Sequence, residues 1–317
     1  MSGHFDALRH ALWDVERARP RAALRLGAHL LALGLMLMAL ARASRVIPQV
    51  VLGPIAFALV ITITYAATRW LDRRPFVDLG LRVDVPRALD LGAGMIVGAS
   101  AIGFVALTEQ QLGVAHYTAL ALDPPKLARM AFVAVFFVGV AVQEEMVFRG
   151  YHLVNLTEGL AGSRGSPSRA AMIAVLVASL GFGLAHAGND GASIVATLQV
   201  AVAGGTLLAI GFVLTGDLAY SIGLHFAWNF TQCALGMPVS GFVLSEAAIL
   251  DRHVDGPEWL SGGAFGPEAS AIGLAAMLAF TALSALYVRW RYGSLAVRLR
   301  VGLMPPPPAS ALPSGER

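Results

Sequence analysis

The sequence predicts an all-α, polytopic transmembrane helical bundle of about eight spans, with both termini cytoplasmic. Three observations predict it. Of the 317 residues, 56% are hydrophobic and only 14% charged, whereas a soluble domain carries about 25% charged residues. Long stretches almost free of charge recur along the chain, each near the ~20 apolar residues that one crossing of a bilayer needs. The arginines cluster between those stretches, as flanking charge does, and form no single basic patch that would suit nucleic acid.

The elements follow in order. Met1–Pro20 is mixed in polarity and lacks the apolar core of a cleavable signal peptide; it is a candidate interfacial helix with Phe5 and Trp13 as anchors. The apolar stretches are Ala22–Ala41, Val46–Thr68, Ala88–Thr108, Leu127–Gln143, Ala170–Asn189, Gly191–Gly216, Leu218–Gly236 and Ala269–Val288. The fourth continues past Glu144 to about Val154, because no helix breaker intervenes. Pro54 and the internal glycines are acceptable in membrane helices, and Gly94 with Gly98 lets two helices approach closely. Asp217 is expected to cap the seventh helix at the Thr215-Gly216-Asp217 turn. Orientation rests on Lys and Arg: assigning loops alternately places 18 of the 23 on the side of the termini and 5 opposite. The resulting divisions are a cytoplasmic segment (1–21), N-terminal spans (22–126), core helices (127–236), a non-cytoplasmic loop (237–268), a last span (269–292) and a Pro-rich cytoplasmic tail (293–317). Abundant Ala, Gly and Arg suggest a bacterial chain, hence a multi-pass protein of the bacterial inner membrane. A single cysteine, Cys233, precludes an internal disulfide or a cysteine zinc site.

A charge inside a bilayer costs at least ~2.5 kcal/mol and calls for a reason. Three segments carry polar groups inside the spans: Gln143-Glu144-Glu145 through Arg149-Gly150, Phe182 through His186, and His225 through Asn229. Glu145 and Arg149 stand four residues apart, the acid N-terminal to the base, so they form a favourable pair on one helix face. Glu144 lies about 100° around the helix from its neighbour and is left for chemistry. His225 and Asn229 share a face and both bear hydrogen-bond donors suited to an oxyanion. Phe182 and His186 share another face, where the ring restricts the imidazole. By rise along the helices, His186 comes out deeper than Glu144 and His225, so no depth is assigned to the site.

Glu-Glu-x-x-x-Arg, then Phe-x-x-x-His, then His-x-x-x-Asn, in that order and on membrane helices, resembles the CPBP family, the CAAX prenyl endopeptidase and bacteriocin-processing group of intramembrane proteases. The resemblance covers about Leu127–Gly236. It implies an endopeptidase that hydrolyses membrane-associated peptides or proteins with water activated by Glu144 and His186. It further implies an oxyanion site at His225 and Asn229, support from Glu145, Arg149 and Phe182, and no cofactor. The implied partners are the lipid bilayer and a membrane-associated substrate. Other readings remain open. One is a zinc metalloprotease built on His186, His225 and a glutamate, without the His-Glu-x-x-His signature. Another is a serine protease with Ser193 as the nearest nucleophile. A third is a non-enzymatic immunity or transport protein. His152 is a candidate neighbour of the site, and His29 has no partner pattern.

Overall fold

The computed structural model of the protein describes residues 12–15, 17–162 and 166–299. Phe5, Arg300 and the Pro-rich stretch lie outside the described residues. The described part of the N-terminal segment is not the expected interfacial helix. Trp13–Asp14 (β1) and Arg19–Pro20 (β2) pair antiparallel, with Ala18 at φ 49° in the turn.

All eight apolar stretches are helical: Ala22–Ala43 (α1), Gln49–Ala66 (α2, extended by a π-helical turn Ala67–Leu71), Val85–Gln111 (α3), Pro124–Ala161 (α4), Pro167–Ala185 (α5), Ile194–Thr215 (α6), Ala219–Ala234 (α7) and Ala271–Tyr292 (α8). Their starts are chemically marked. Asp84 and Asp123 accept the backbone N–H of Arg87 (2.9 Å) and Lys126 (2.7 Å), each just before a proline of the first turn, and Ser270 accepts that of Gly273 (2.8 Å). Asp217 accepts the N–H of Ala219 at 3.0 Å, at the start of α7.

Seven of these helices are long and apolar enough to cross a membrane. The eighth, α7, has 16 residues, about 24 Å at 1.5 Å per residue, short of a ~30 Å hydrocarbon core. Its start is sunk into the protein: Leu218 is fully buried and its N–H bonds the Gly80 carbonyl at 2.9 Å. By contrast α4, 38 residues long, spans about 57 Å and overshoots the core. One helix starting deep and another running long remove the depth mismatch expected from equal spans.

The loops gather at two ends of the bundle. At one end, Ala115–Ala119 (β3) pairs antiparallel with Leu250–Val254 (β4), a sheet absent from the sequence reading, and Arg252 clamps Glu109 through two bonds of 3.0 and 2.7 Å. At the other, Arg19, Arg25 and Arg74 converge on Asp72 and Glu158, all buried. Burial lowers the Arg19 and Arg74 guanidiniums to about 10, still far above neutrality. Tyr151 and Asn155 of α4 complete the cluster on Asp72.

The seam between α3 and α7 is backbone against backbone. A Cβ at Gly94 would collide with the Tyr220 carbonyl, one at Gly98 with that of Leu224, and one at Gly223 with that of Leu91. This is the small-residue packing that lets membrane helices gain close contact without a hydrophobic driving force. It also fixes the helix that carries His225 and Asn229. Gly98→Val should therefore lower unfolding free energy in detergent by about 1–3 kcal/mol and reduce activity with it. Gly103→Val on the same helix, where a Cβ meets nothing within 4 Å, should leave both unchanged.

Candidate active site

A cavity of about 370 Å³ opens among α4, α5, α6, α7 and the start of α8, roofed by residues 239–244. Glu144, His186, His225 and Asn229 all line it. Sequence spacing placed these four on three helices, and the fold brings them to one space.

The first segment is shaped by a change of helix type. α4 is α-helical to Glu145 and π-helical over Met146–Leu153, a form found chiefly as local bulges at functional sites. Glu145 is fully buried and receives Arg149 Nη1 at 3.0 Å, as its spacing predicts. The same oxygen also receives His225 Nδ1 at 2.8 Å. That contact adds a partner from another helix to the pair that the spacing predicts. Glu144 comes to the other side of the same ring, with Oε2 at 3.8 Å from His225 Nε2. Two consecutive carboxylates thus flank one imidazole, although their helix directions diverge. Glu144 Oε2 has no hydrogen-bond partner among the described residues.

Arg149 is almost wholly buried, not flanking charge. It donates to the Gly205 carbonyl at 3.2 Å and stacks over the Phe182 ring at 4.4 Å, a cation–π contact strengthened by desolvation. Phe182 also packs against His186, with ring centroids 4.7 Å apart, and meets His225 edge-on at 6.1 Å. His186 follows the last residue of α5 and donates from Nδ1 to the Phe182 carbonyl at 2.8 Å, since a carbonyl only accepts. Its Nε2 is then the nitrogen that carries a lone pair. The ring is held by its own turn, and Phe182 supplies both the restraining carbonyl and the restraining face.

Two other candidates sit elsewhere. His152 lies beside His29 (Nδ1 of His29 to Nε2 of His152, 3.0 Å), and His29 reaches Thr64 at 3.1 Å. This pairing between α1 and α4 was not legible from spacing, and His152 is not a lining residue. Ser193 spends its hydroxyl on the Ala196 N–H at 3.1 Å, capping α6. Among the described residues no three His, Cys, Asp or Glu side chains are grouped to hold a metal ion.

Glu268 is the residue that sequence reasoning missed. It ends the segment 237–268 that the sequence presents as a non-cytoplasmic loop, yet it lines the cavity and is buried. Gln232 Nε2 donates to it at 3.0 Å and Ser240 Oγ at 3.2 Å, so it ties the roof to α7. Burial raises its carboxyl above the ordinary range, and hydrogen bonds from its own N–H, Gln232, Ser240 and Trp228 offset this only in part. The folded protein therefore holds a proton over a pH window where the unfolded chain has released it. Stability falls as pH rises through the folded value. Melting temperature in detergent should decline across that window in the wild type and stay flatter in Glu268→Gln.

Comparison with curated proteins finds no match, and none is found among solved structures. Residues 126–231 match the family described as type II CAAX prenyl endopeptidase Rce1-like, and that segment contains Glu144, Glu145, Arg149, Phe182, His186, His225 and Asn229. This match covers about a third of the chain; on a multi-pass helical membrane protein it supports the CPBP/CAAX protease family and implies a protease, a hydrolase of peptide bonds.

Proposed function

We propose that this protein cleaves membrane-associated peptides or proteins with a water molecule activated by Glu144 and His186. The observation that carries the reading is the convergence of Glu144, His186, His225 and Asn229 on one cavity inside the bundle. Glu144 offers a carboxylate oxygen free of other partners, and His186 offers the Nε2 lone pair. Both are bases for a water between them. Attack of that water on the substrate carbonyl leaves negative charge on its oxygen. Asn229 donates to it from Nδ2, and His225 joins from Nε2 when its ring carries both protons, Nδ1 being committed to Glu145. Collapse of the tetrahedral species returns the proton from Glu144 or His186 to the departing amine. No covalent enzyme intermediate is formed. Glu145, Arg149 and Phe182 act through position, holding the two imidazoles. The Ala-, Gly- and Arg-rich composition supports placing the enzyme in a bacterial inner membrane.

Glu144→Gln and His186→Ala should each lower kcat by about 10²–10⁴-fold on a cleavable membrane peptide. Asn229→Ala should lower it by about 10²–10³-fold with little change in KM. Full activity in both Glu144→Gln and His186→Ala, in folded protein, would overturn the assignment. The reading needs no metal. Prolonged dialysis against a strong chelator should leave activity unchanged, and loss restored by zinc would transfer the mechanism to a metal held by the same residues.

A further inference from the structure

The cavity belongs to one end of the bundle. His186 sits at the finish of α5, and Asn229 lies five residues before the finish of α7. Asn189, Ser240, Phe242 and Glu268 come from the loops beyond those helix ends. These loops hold one another: Asn189 Nδ2 donates to the Ser240 carbonyl at 2.8 Å, and Gly241 N–H to that of Phe265 at 2.8 Å. They continue into β4, whose pairing with β3 and whose Arg252–Glu109 clamp lie at the same end. The opposite end is closed where the helices meet it. There the Leu218 N–H bonds Gly80, the Arg298 N–H bonds Val213 at 2.9 Å, and the arginine cluster packs around Asp72 and Glu158.

Basic residues are divided unevenly between these ends. The closed end carries Arg17, Arg19, Arg21, Arg25, Arg69, Arg73, Arg74, Arg82, Arg87, Arg169, Arg289, Arg291 and Arg298, whereas the cavity end carries Arg42, Arg45, Lys126, Arg129 and Arg252, with Asp251, Asp255 and Glu258 beside the last. Lys and Arg are retained on the cytoplasmic side during insertion. We infer that the active-site cavity faces the extracytoplasmic side of the membrane. The substrate, on the proteolytic reading above, is then a polypeptide segment presented on that side. A C-terminal motif located in the cytoplasm would meet the closed end.

Two exposed positions decide the sidedness. Phe242 lines the cavity and is 63% exposed; Val83, at the closed end, is fully exposed. Cys233 is the single cysteine, so Phe242→Cys and Val83→Cys are made in a Cys233→Ala background carrying Glu144→Gln. Labelling with a membrane-impermeant maleimide is read in right-side-out and inside-out vesicles, after a permeant maleimide confirms that each thiol reacts in detergent. Phe242→Cys should label at least tenfold more in right-side-out vesicles and Val83→Cys at least tenfold more in inside-out ones. The reverse pattern, or Phe242→Cys reacting only from the cytoplasmic side, overturns the inference. Val243→Cys, at 66% exposure on the same roof, gives the same reading should Phe242→Cys not fold. Labelling reads thiol accessibility and not turnover, so the result does not depend on the proteolytic assignment. That assignment is tested by the activity of Glu144→Gln and His186→Ala, and can fail while the sidedness stands.

Discussion

A carboxylate sealed away from water organises this protein. Glu145 has no exposed surface, and an uncompensated charge in such a place costs several kcal/mol. It is compensated twice at one oxygen, by Arg149 from its own helix and by His225 from α7. Arg149 in turn lies on Phe182 of α5 and donates to Gly205 of α6. Four helices are therefore locked in register by one buried anion and its guanidinium. Breaking either partner would strand the other, so the arrangement tolerates little slack. The residues assigned to chemistry sit one step outward from this knot. Glu144 is the next residue in sequence, His186 is one turn beyond Phe182, and Asn229 is one turn beyond His225. Glu144 and His186 thus take their positions from Glu145 and Phe182, to which the proposed mechanism gives no chemical step.

The second requirement is that α7 lie close to α3. Side chains at Gly94, Gly98 or Gly223 would push the two backbones apart. With α7 short and its start buried, its imidazole and carboxamide reach the level of Glu144 even though α4 runs well past it. Helices of unequal length and depth, not a uniform set of crossings, bring the polar residues together.

Much of this was legible in the sequence, for identifiable reasons. Apolar stretches free of charge have few alternatives to helices in a bilayer, and all eight are helical. Four-residue spacing marks a shared helix face, which found Glu145 with Arg149 and Phe182 with His186. What escaped was pairing across distance. Glu145 with His225 is 80 residues apart, Asp72 with Asn155 is 83, and Glu268 with Gln232 is 36. No local period encodes them. The π-helical stretch after Glu145 was equally silent, since Met146–Leu153 contains no residue that forbids an ordinary helix. The β1–β2 turn escaped because a short mixed segment beside a membrane suits an amphipathic helix as well as a hairpin.

The cluster around Glu158 carries a consequence for what counts as the working unit. Glu158 ends the helix that bears Glu144, and the guanidiniums that neutralise it come from Arg19, Arg25 and Arg74, all outside the family-matched stretch of 126–231. A fragment trimmed to that stretch would leave an acid in its interior without counter-charge. The minimal folded unit is thus larger than the family-matched stretch, and the N-terminal helices act as a built-in brace for the one that bears Glu144.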